Sequence, residues 1–218
     1  MDTSVPEQAQ GRRIVGILGG TFDPVHHGHL RIALDACELL DLDAVHLIPL
    51  AHAVHRDQPE TPPGLRLEML RAAAAGRREL IVDDRELRRQ GPSYTIDTLQ
   101  SLHRDLPESS LCLLLGDDAF SAFASWRDPT GILAIANIAV LQRPGAAVET
   151  PPQLEELLAG SRRSKIDPER TGQVVFCAVT QLDIASSDIR QRIREGRSAD
   201  FLIRAVVLDL IERHRLYR

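Results

Sequence analysis

Ile14-Val15-Gly16-Ile17-Leu18-Gly19-Gly20-Thr21-Phe22-Asp23-Pro24-Val25-His26-His27-Gly28-His29 carries the reading of the fold. The run Ile14–Leu18 suits a buried strand, a glycine pair follows it, and apolar residues at 30, 33, 34, 37 and 40 then recur at helical spacing. A strand that leaves through glycines into a helix gathers free backbone N–H groups and the positive end of a helix dipole at one point. That is where an α/β protein holds an anion.

The same alternation continues outward. Strand-like runs lie at Val45–Pro49, Leu80–Val82, Leu111–Leu115, Ile138–Leu141 and Val174–Val179, with helical patterns at Leu65–Ala75 and Thr95–Leu106 between them. This predicts a doubly wound α/β fold with a mainly parallel sheet, whose ligands sit at the carboxyl ends of the strands where strand order reverses. From Ser186 two helical patterns follow each other, Asp188–Glu195 and Phe201–Arg213, with Gly196 stopping the first. Residues 1–12 read as a flexible leader, and 13–218 as a single domain in which 186–218 form a helical C-terminal part. His52–Gly64, with three prolines, reads as a mobile loop.

Composition narrows the partners. With 26 Lys and Arg against 31 Asp and Glu, the net charge is −5, which gives no electrostatic reason to expect nucleic acid or an anionic membrane. The longest apolar stretch, Gly131–Leu141, is far short of the ~20 residues of a spanning helix, and the first residues lack a basic flank and apolar core. Cys37, Cys112 and Cys177 sit in apolar surroundings at no metal-ligand spacing, as free thiols in a reducing compartment do. A cytoplasmic protein is expected, as a monomer or a homodimer.

His26 and His29 bracket Gly28, so in a helical first turn both imidazoles would point to one side. There, two N–H donors can hold phosphate oxygens and gain positive character as charge builds on them. Gly19 and Gly20 let the backbone approach a ligand, and the Thr21 hydroxyl adds a donor. A zinc site competes for the same histidines. However, adjacent His26 and His27 face differently and no carboxylate or thiol completes a ligand set, so no bound metal is expected.

The segment Gly19–His29 resembles the signature of the HxGH nucleotidyltransferase superfamily, which contains nicotinate-nucleotide, pantetheine-phosphate and glycerol-phosphate nucleotidyltransferases. The resemblance implies a Rossmann-like nucleotidyltransferase fold in which His26 and His29 bind the ATP phosphates and steady the α-phosphorus. It also places Gly19, Gly20, Thr21 and Phe22 at the ATP. Ile184–Arg190 starts a helix for which Ser186 or Ser187 would be a good N-cap, and Arg190 one turn on can fork onto phosphate oxygens. The stretch resembles the family's ISSTxIR motif, with Ala185 and Ser187 replacing its first serine and its threonine. That match puts Ser186 and Ser187 at the ATP and Arg190 among the catalytic residues.

Middle segments are similar to the nicotinate-nucleotide branch. Ser93–Leu99 resembles its SYTIDTL stretch, preceded by the matching Glu86, Arg89 and Gly91. Helix capping by Ser93 or Thr95 explains the same residues. The resemblance puts Tyr94 and Thr95 at the mononucleotide, where helix-start N–H groups favour an anionic nicotinate. Trp126, the only tryptophan, corresponds to a residue that stacks on the pyridine ring. Gly116-Asp117-Asp118 resembles the family's GxD motif, with Gly116 and Asp118 along the adenosine. In Pro49–Arg56 the usual two prolines are replaced by Ala53 and Val54, leaving a less restricted loop, while His55 and Arg56 remain for the mononucleotide and the phosphates.

The reaction implied is ATP plus nicotinic acid mononucleotide giving nicotinate adenine dinucleotide and pyrophosphate, a step of NAD biosynthesis, with Mg²⁺ bridging phosphate oxygens. The rivals are the same chemistry on phosphopantetheine or a sugar phosphate, and a nucleotide-sensing protein without turnover.

Overall fold

The computed structural model describes residues 12–51, 58–143 and 150–218. Six strands, β1 Arg13–Gly20, β2 Ala44–Pro49, β3 Leu80–Val82, β4 Ser109–Gly116, β5 Ala136–Gln142 and β6 Val174–Ala178, form one sheet in the order β3-β2-β1-β4-β5-β6. Every pairing is parallel. The helices are α1 His27–Leu40, α2 Pro63–Ala74, α3 Arg85–Arg88, α4 Thr95–Asp105, α5 Asp117–Ser121, α6 Pro129–Ile135, α7 Pro152–Leu157, α8 Ser186–Arg194 and α9 Ala205–Arg213. A 3₁₀ turn covers Phe123–Ser125.

Both faces of the sheet are covered, and the period of two shows in where side chains go. Ile14 and Leu18 of β1, with Cys112 and Leu114 of β4, join the core under α1, α2, α8 and α9. Val15 and Ile17, with Leu111, Leu113 and Leu115, join the opposite core under α4, α6 and α7. Strand order reverses between β1 and β4, so the crevice above their carboxyl ends is the switch point where such folds bind ligands.

Three expectations change. The last helix begins at Ala205 and not at Phe201, because Phe201 takes a left-handed φ of +63° and is exposed while Ile203 turns into the core. Of the expected mobile loop, residues 58–62 are described and are pinned: Thr61 is buried, and the Glu60 N–H donates to Asp23 Oδ2 at 2.8 Å. Residues 52–57, with His55 and Arg56, lie outside the described residues. Finally, no serine or threonine side chain caps α4 or α8, whose N-caps are Tyr94 and Ala185. Gly196 does stop α8, at φ +67°. The three cysteines are buried and free. Among the described residues no helix is long and apolar enough to cross a membrane.

Candidate active site

β1 runs out through Gly19 and Gly20 into the loop that ends at α1. His26 is extended, with φ −139° and ψ 171°, and stands just before the helix, whereas His29 is its third residue. The imidazoles therefore reach one side by a different route from the helical turn expected. Their rings stack with centroids 3.7 Å apart and planes 30° from parallel. His29 Nδ1 accepts the His26 backbone N–H at 3.3 Å, which leaves the hydrogen of a neutral ring on Nε2, as a donor.

Burial, helped by the charge His27 can carry, pushes the His26 pKa down to about 4. Burial and the neighbouring His26 push that of His29 well below its ordinary value. Both rings are thus neutral at pH 7. A neutral donor pair needs no counter-ion in the free protein and gains charge only where phosphate oxygens favour the protonated form.

Gly28 makes the stack possible. A Cβ there would lie 2.9 Å from His26 Nδ1 and 3.0 Å from its Cε1, closer than side chains tolerate. The HxGH spacing is in this chain a steric requirement: the first imidazole folds back over the glycine.

The second motif rests on the first. Ser186 Oγ donates to the Pro24 carbonyl at 2.9 Å, across 162 residues, and Arg190 Nη1 donates to the Asp23 carbonyl at 2.8 Å. Ser186 spends its hydroxyl on this contact, and Ser187 turns to Asp188, which is why neither caps α8. Arg190 Nε also donates to Glu60 Oε1 at 2.8 Å, and Arg194 Nη1 to Glu60 Oε2 at 2.9 Å. One carboxylate thus bridges two guanidiniums on successive turns, with the donor geometry that a phosphate would find there.

A cleft of about 260 Å³ opens at the switch point. Gly19, Gly20 and Thr21 of the first loop line it together with Gly116, and Thr95 and Trp126 line it as well. Trp126 is half-buried and meets Phe123 edge-on at 5.6 Å. Other residues singled out in the sequence lie elsewhere. The Phe22 ring is fully buried, edge-on to His29 at 5.0 Å, so it supports the imidazole and presents no surface to a ligand. Tyr94 turns its ring under the Arg127 guanidinium, 4.5 Å from its centroid, while its neighbours Ser93 and Thr95 line the cleft. Asp118 is exposed in the first turn of α5; Asp117 is half-buried, its carboxyl pushed up by burial and by Asp118.

Two residues at the site carry roles not foreseen. Arg66 is fully buried and donates to three backbone carbonyls: Thr61 at 3.1 Å, Thr21 at 2.6 Å and Leu50 at 2.7 Å. It staples the ends of the first two strand loops to the 58–62 segment. The sequence held a signal for it, since position 66 shares a helical stripe with Met69, Leu70 and Ala73, where a charge has no solvent to reach. Glu86 also lines the cleft; burial raises its carboxyl pKa, against the Thr98 hydroxyl, which donates to Oε1 at 2.7 Å.

A glycine-rich exit from the first strand, a histidine pair under a second helix start, and a cleft at the β1/β4 reversal place the molecule among nucleotidyltransferases of Rossmann-like fold. A cytidylyltransferase-like family model matches residues 17–192. The chain is 46% identical over 211 residues to the probable nicotinate-nucleotide adenylyltransferase of Pseudomonas syringae pv. tomato, covering 94% of each chain. It is 48% identical to the protein of the same name from Pseudomonas entomophila, over 94% of this chain and 95% of that one. The chain belongs to the cytidylyltransferase-like family and, within it, to the nicotinate-nucleotide adenylyltransferases. Its fold is similar to that of the Plasmodium falciparum nicotinic acid mononucleotide adenylyltransferase complexed with NaAD, with a TM-score of 0.72 at 16% identity over 94% of this chain and 97% of that one.

Proposed function

We propose that the protein transfers the adenylyl group of ATP to nicotinic acid mononucleotide, releasing pyrophosphate and forming nicotinate adenine dinucleotide for NAD biosynthesis. The observation that carries this reading is the stacked His26–His29 pair at the start of α1, which follows directly on the Gly19–Thr21 loop lining a cleft that also holds Thr95 and Trp126. The mononucleotide phosphate is the nucleophile. It attacks the α-phosphorus, the new P–O bond forms as the bond to the bridging oxygen of the β-phosphate breaks, and pyrophosphate leaves. A phosphate monoester is largely dianionic at neutral pH, so no side chain has to remove a proton.

The protein's work is then positioning and charge stabilisation. His26 and His29 donate to the phosphate oxygens, Arg190 exchanges Glu60 for phosphate, and the backbone of Gly19–Thr21 lies along the nucleotide. Gly116 borders the adenosine end. Trp126 stacks on the pyridine, and the start of α4 at Thr95 receives the nicotinate carboxylate. Among the described residues no group of three His, Cys, Asp or Glu is placed to hold a metal ion. Mg²⁺ arriving on the ATP phosphates would add charge stabilisation beside His26, His29 and Arg190. Three buried free thiols suit a cytoplasmic setting.

The test is pyrophosphate release from ATP with nicotinate mononucleotide, nicotinamide mononucleotide, phosphopantetheine and glycerol phosphate in parallel. Nicotinate mononucleotide should give the highest kcat/KM. Equal values for the acid and the amide would remove the carboxylate role of Thr95, and turnover only with another acceptor would overturn the reading.

A further inference from the structure

Asp23 lies in the phosphate loop, three residues before His26, and its side chain is buried. Its carboxylate accepts the Tyr217 hydroxyl on Oδ1 at 2.6 Å and the Glu60 and Thr61 N–H groups on Oδ2 at 2.8 and 3.4 Å. The Thr61 hydroxyl donates in turn to the Tyr217 oxygen at 2.9 Å. Tyr217, 194 residues along the chain from Asp23, is itself buried, and its backbone is held at φ +60°, a region that residues with side chains rarely adopt. Packing of an aromatic ring asks for neither a buried hydroxyl nor a left-handed backbone. Both are explained if the hydroxyl has to arrive at Asp23.

What Asp23 holds is the ATP side of the site. Its carbonyl takes Arg190, its carboxylate fixes the Glu60 backbone, and the Glu60 side chain bridges Arg190 and Arg194. Through Thr61 the network also meets Arg66, which holds the Thr21 and Leu50 carbonyls at the cleft, but none of these contacts is to Thr95 or Trp126 at the acceptor end. We infer that Tyr217 is a positioning residue for ATP: its hydroxyl locks Asp23, and through Asp23 the phosphate loop and the Arg190 guanidinium. The inference rests on the adenylyltransferase reading for the identity of the ligand, and its signature is selectivity between the two substrates. A short O–H···O⁻ bond of this kind is among the stronger hydrogen bonds in a protein, so its loss registers even though two N–H donors remain on Asp23.

The experiment measures, by calorimetry, binding of a non-hydrolysable ATP analogue and of nicotinate mononucleotide to wild type, Tyr217→Phe, Asp23→Asn and Val207→Ala, with a thermal melt of each. Val207 is buried in the α9 core and is absent from the Asp23 contacts, so Val207→Ala reports loosened packing alone. Tyr217→Phe should weaken the ATP analogue about tenfold and leave the mononucleotide within twofold. Asp23→Asn should do the same from the other side of the bond, and the double variant should lose little more than the worse single one. Val207→Ala should lower Tm with both affinities unchanged. If Tyr217→Phe leaves ATP binding within twofold, weakens both ligands alike, or behaves as Val207→Ala does, the inference is overturned. If Tyr217→Phe does not fold, Asp23→Asn alone carries the same comparison. Failure of wild type to bind or use the mononucleotide would sink the proposed acceptor, while the ATP arm would still judge Tyr217.

Discussion

Gly28→Ala separates the geometry of the histidine pair from its chemistry. The added methyl would stand 2.9 Å from His26 Nδ1 and 3.0 Å from Cε1, and its next neighbour, the Ile184 carbonyl, is at an unstrained 3.8 Å. Restoring ordinary contact, ~3.5 Å, moves the imidazole by about 0.5 Å. The ring is buried and stacked on His29, so it cannot swing into solvent at no cost. Misplacing a positioned group by 1 Å can cost on the order of 10² in rate, so half that shift should lower kcat about tenfold. Stability should change little, because the ~0.5–1 kcal/mol by which alanine favours the helical conformation offsets part of the cost of displacing the buried ring. Steady-state pyrophosphate release and a thermal melt give both numbers. A cycle with His26→Ala completes the test: once the imidazole is gone, Gly28→Ala should add no further loss. Wild-type turnover in the single variant, or losses that add in the double, would refute the steric account of the HxGH spacing.

Trp126→Ala should weaken nicotinate mononucleotide by about 1–3 kcal/mol and leave an ATP analogue within twofold, and the chain's only indole should change fluorescence on adding the mononucleotide alone. A lower Tm with unchanged acceptor affinity would make it a packing residue instead. Stability should fall in acid before the carboxylates titrate. His26 has a folded pKa of about 4 against an ordinary 6.5, so between these values the unfolded chain binds the extra proton. The contribution of His26, present in full above pH 6.5, is lost progressively down to pH 4 and amounts to about 3 kcal/mol. Urea midpoints from pH 7.5 to 4.5 should drop more steeply for wild type than for His26→Ala, and parallel curves would contradict the assigned burial effect.

The strands were legible because each is a compact apolar run, and the site loop because glycine, histidine and their spacing act locally. Caps failed for a reason that local sequence does not contain: Ser186 has a partner for its hydroxyl 162 residues away, at Pro24, and the helix start yields to it. The α9 boundary failed because Phe201 and Leu202 continue an apolar pattern that the backbone breaks at a left-handed residue. Most of what orders the site belongs to this second kind. Arg66 is stable inside the protein only because three carbonyls from three separate segments converge on it, and Asp23 needs Tyr217 and residues 60–61 brought to it by the folded sheet. The residues that could touch phosphate are thus encoded in two short stretches, Gly19–His29 and Ile184–Arg190, whereas those that hold these stretches in shape are spread over the whole chain. Substitutions far from the loop in sequence, at Arg66 or Tyr217, therefore bear on it as directly as those within it.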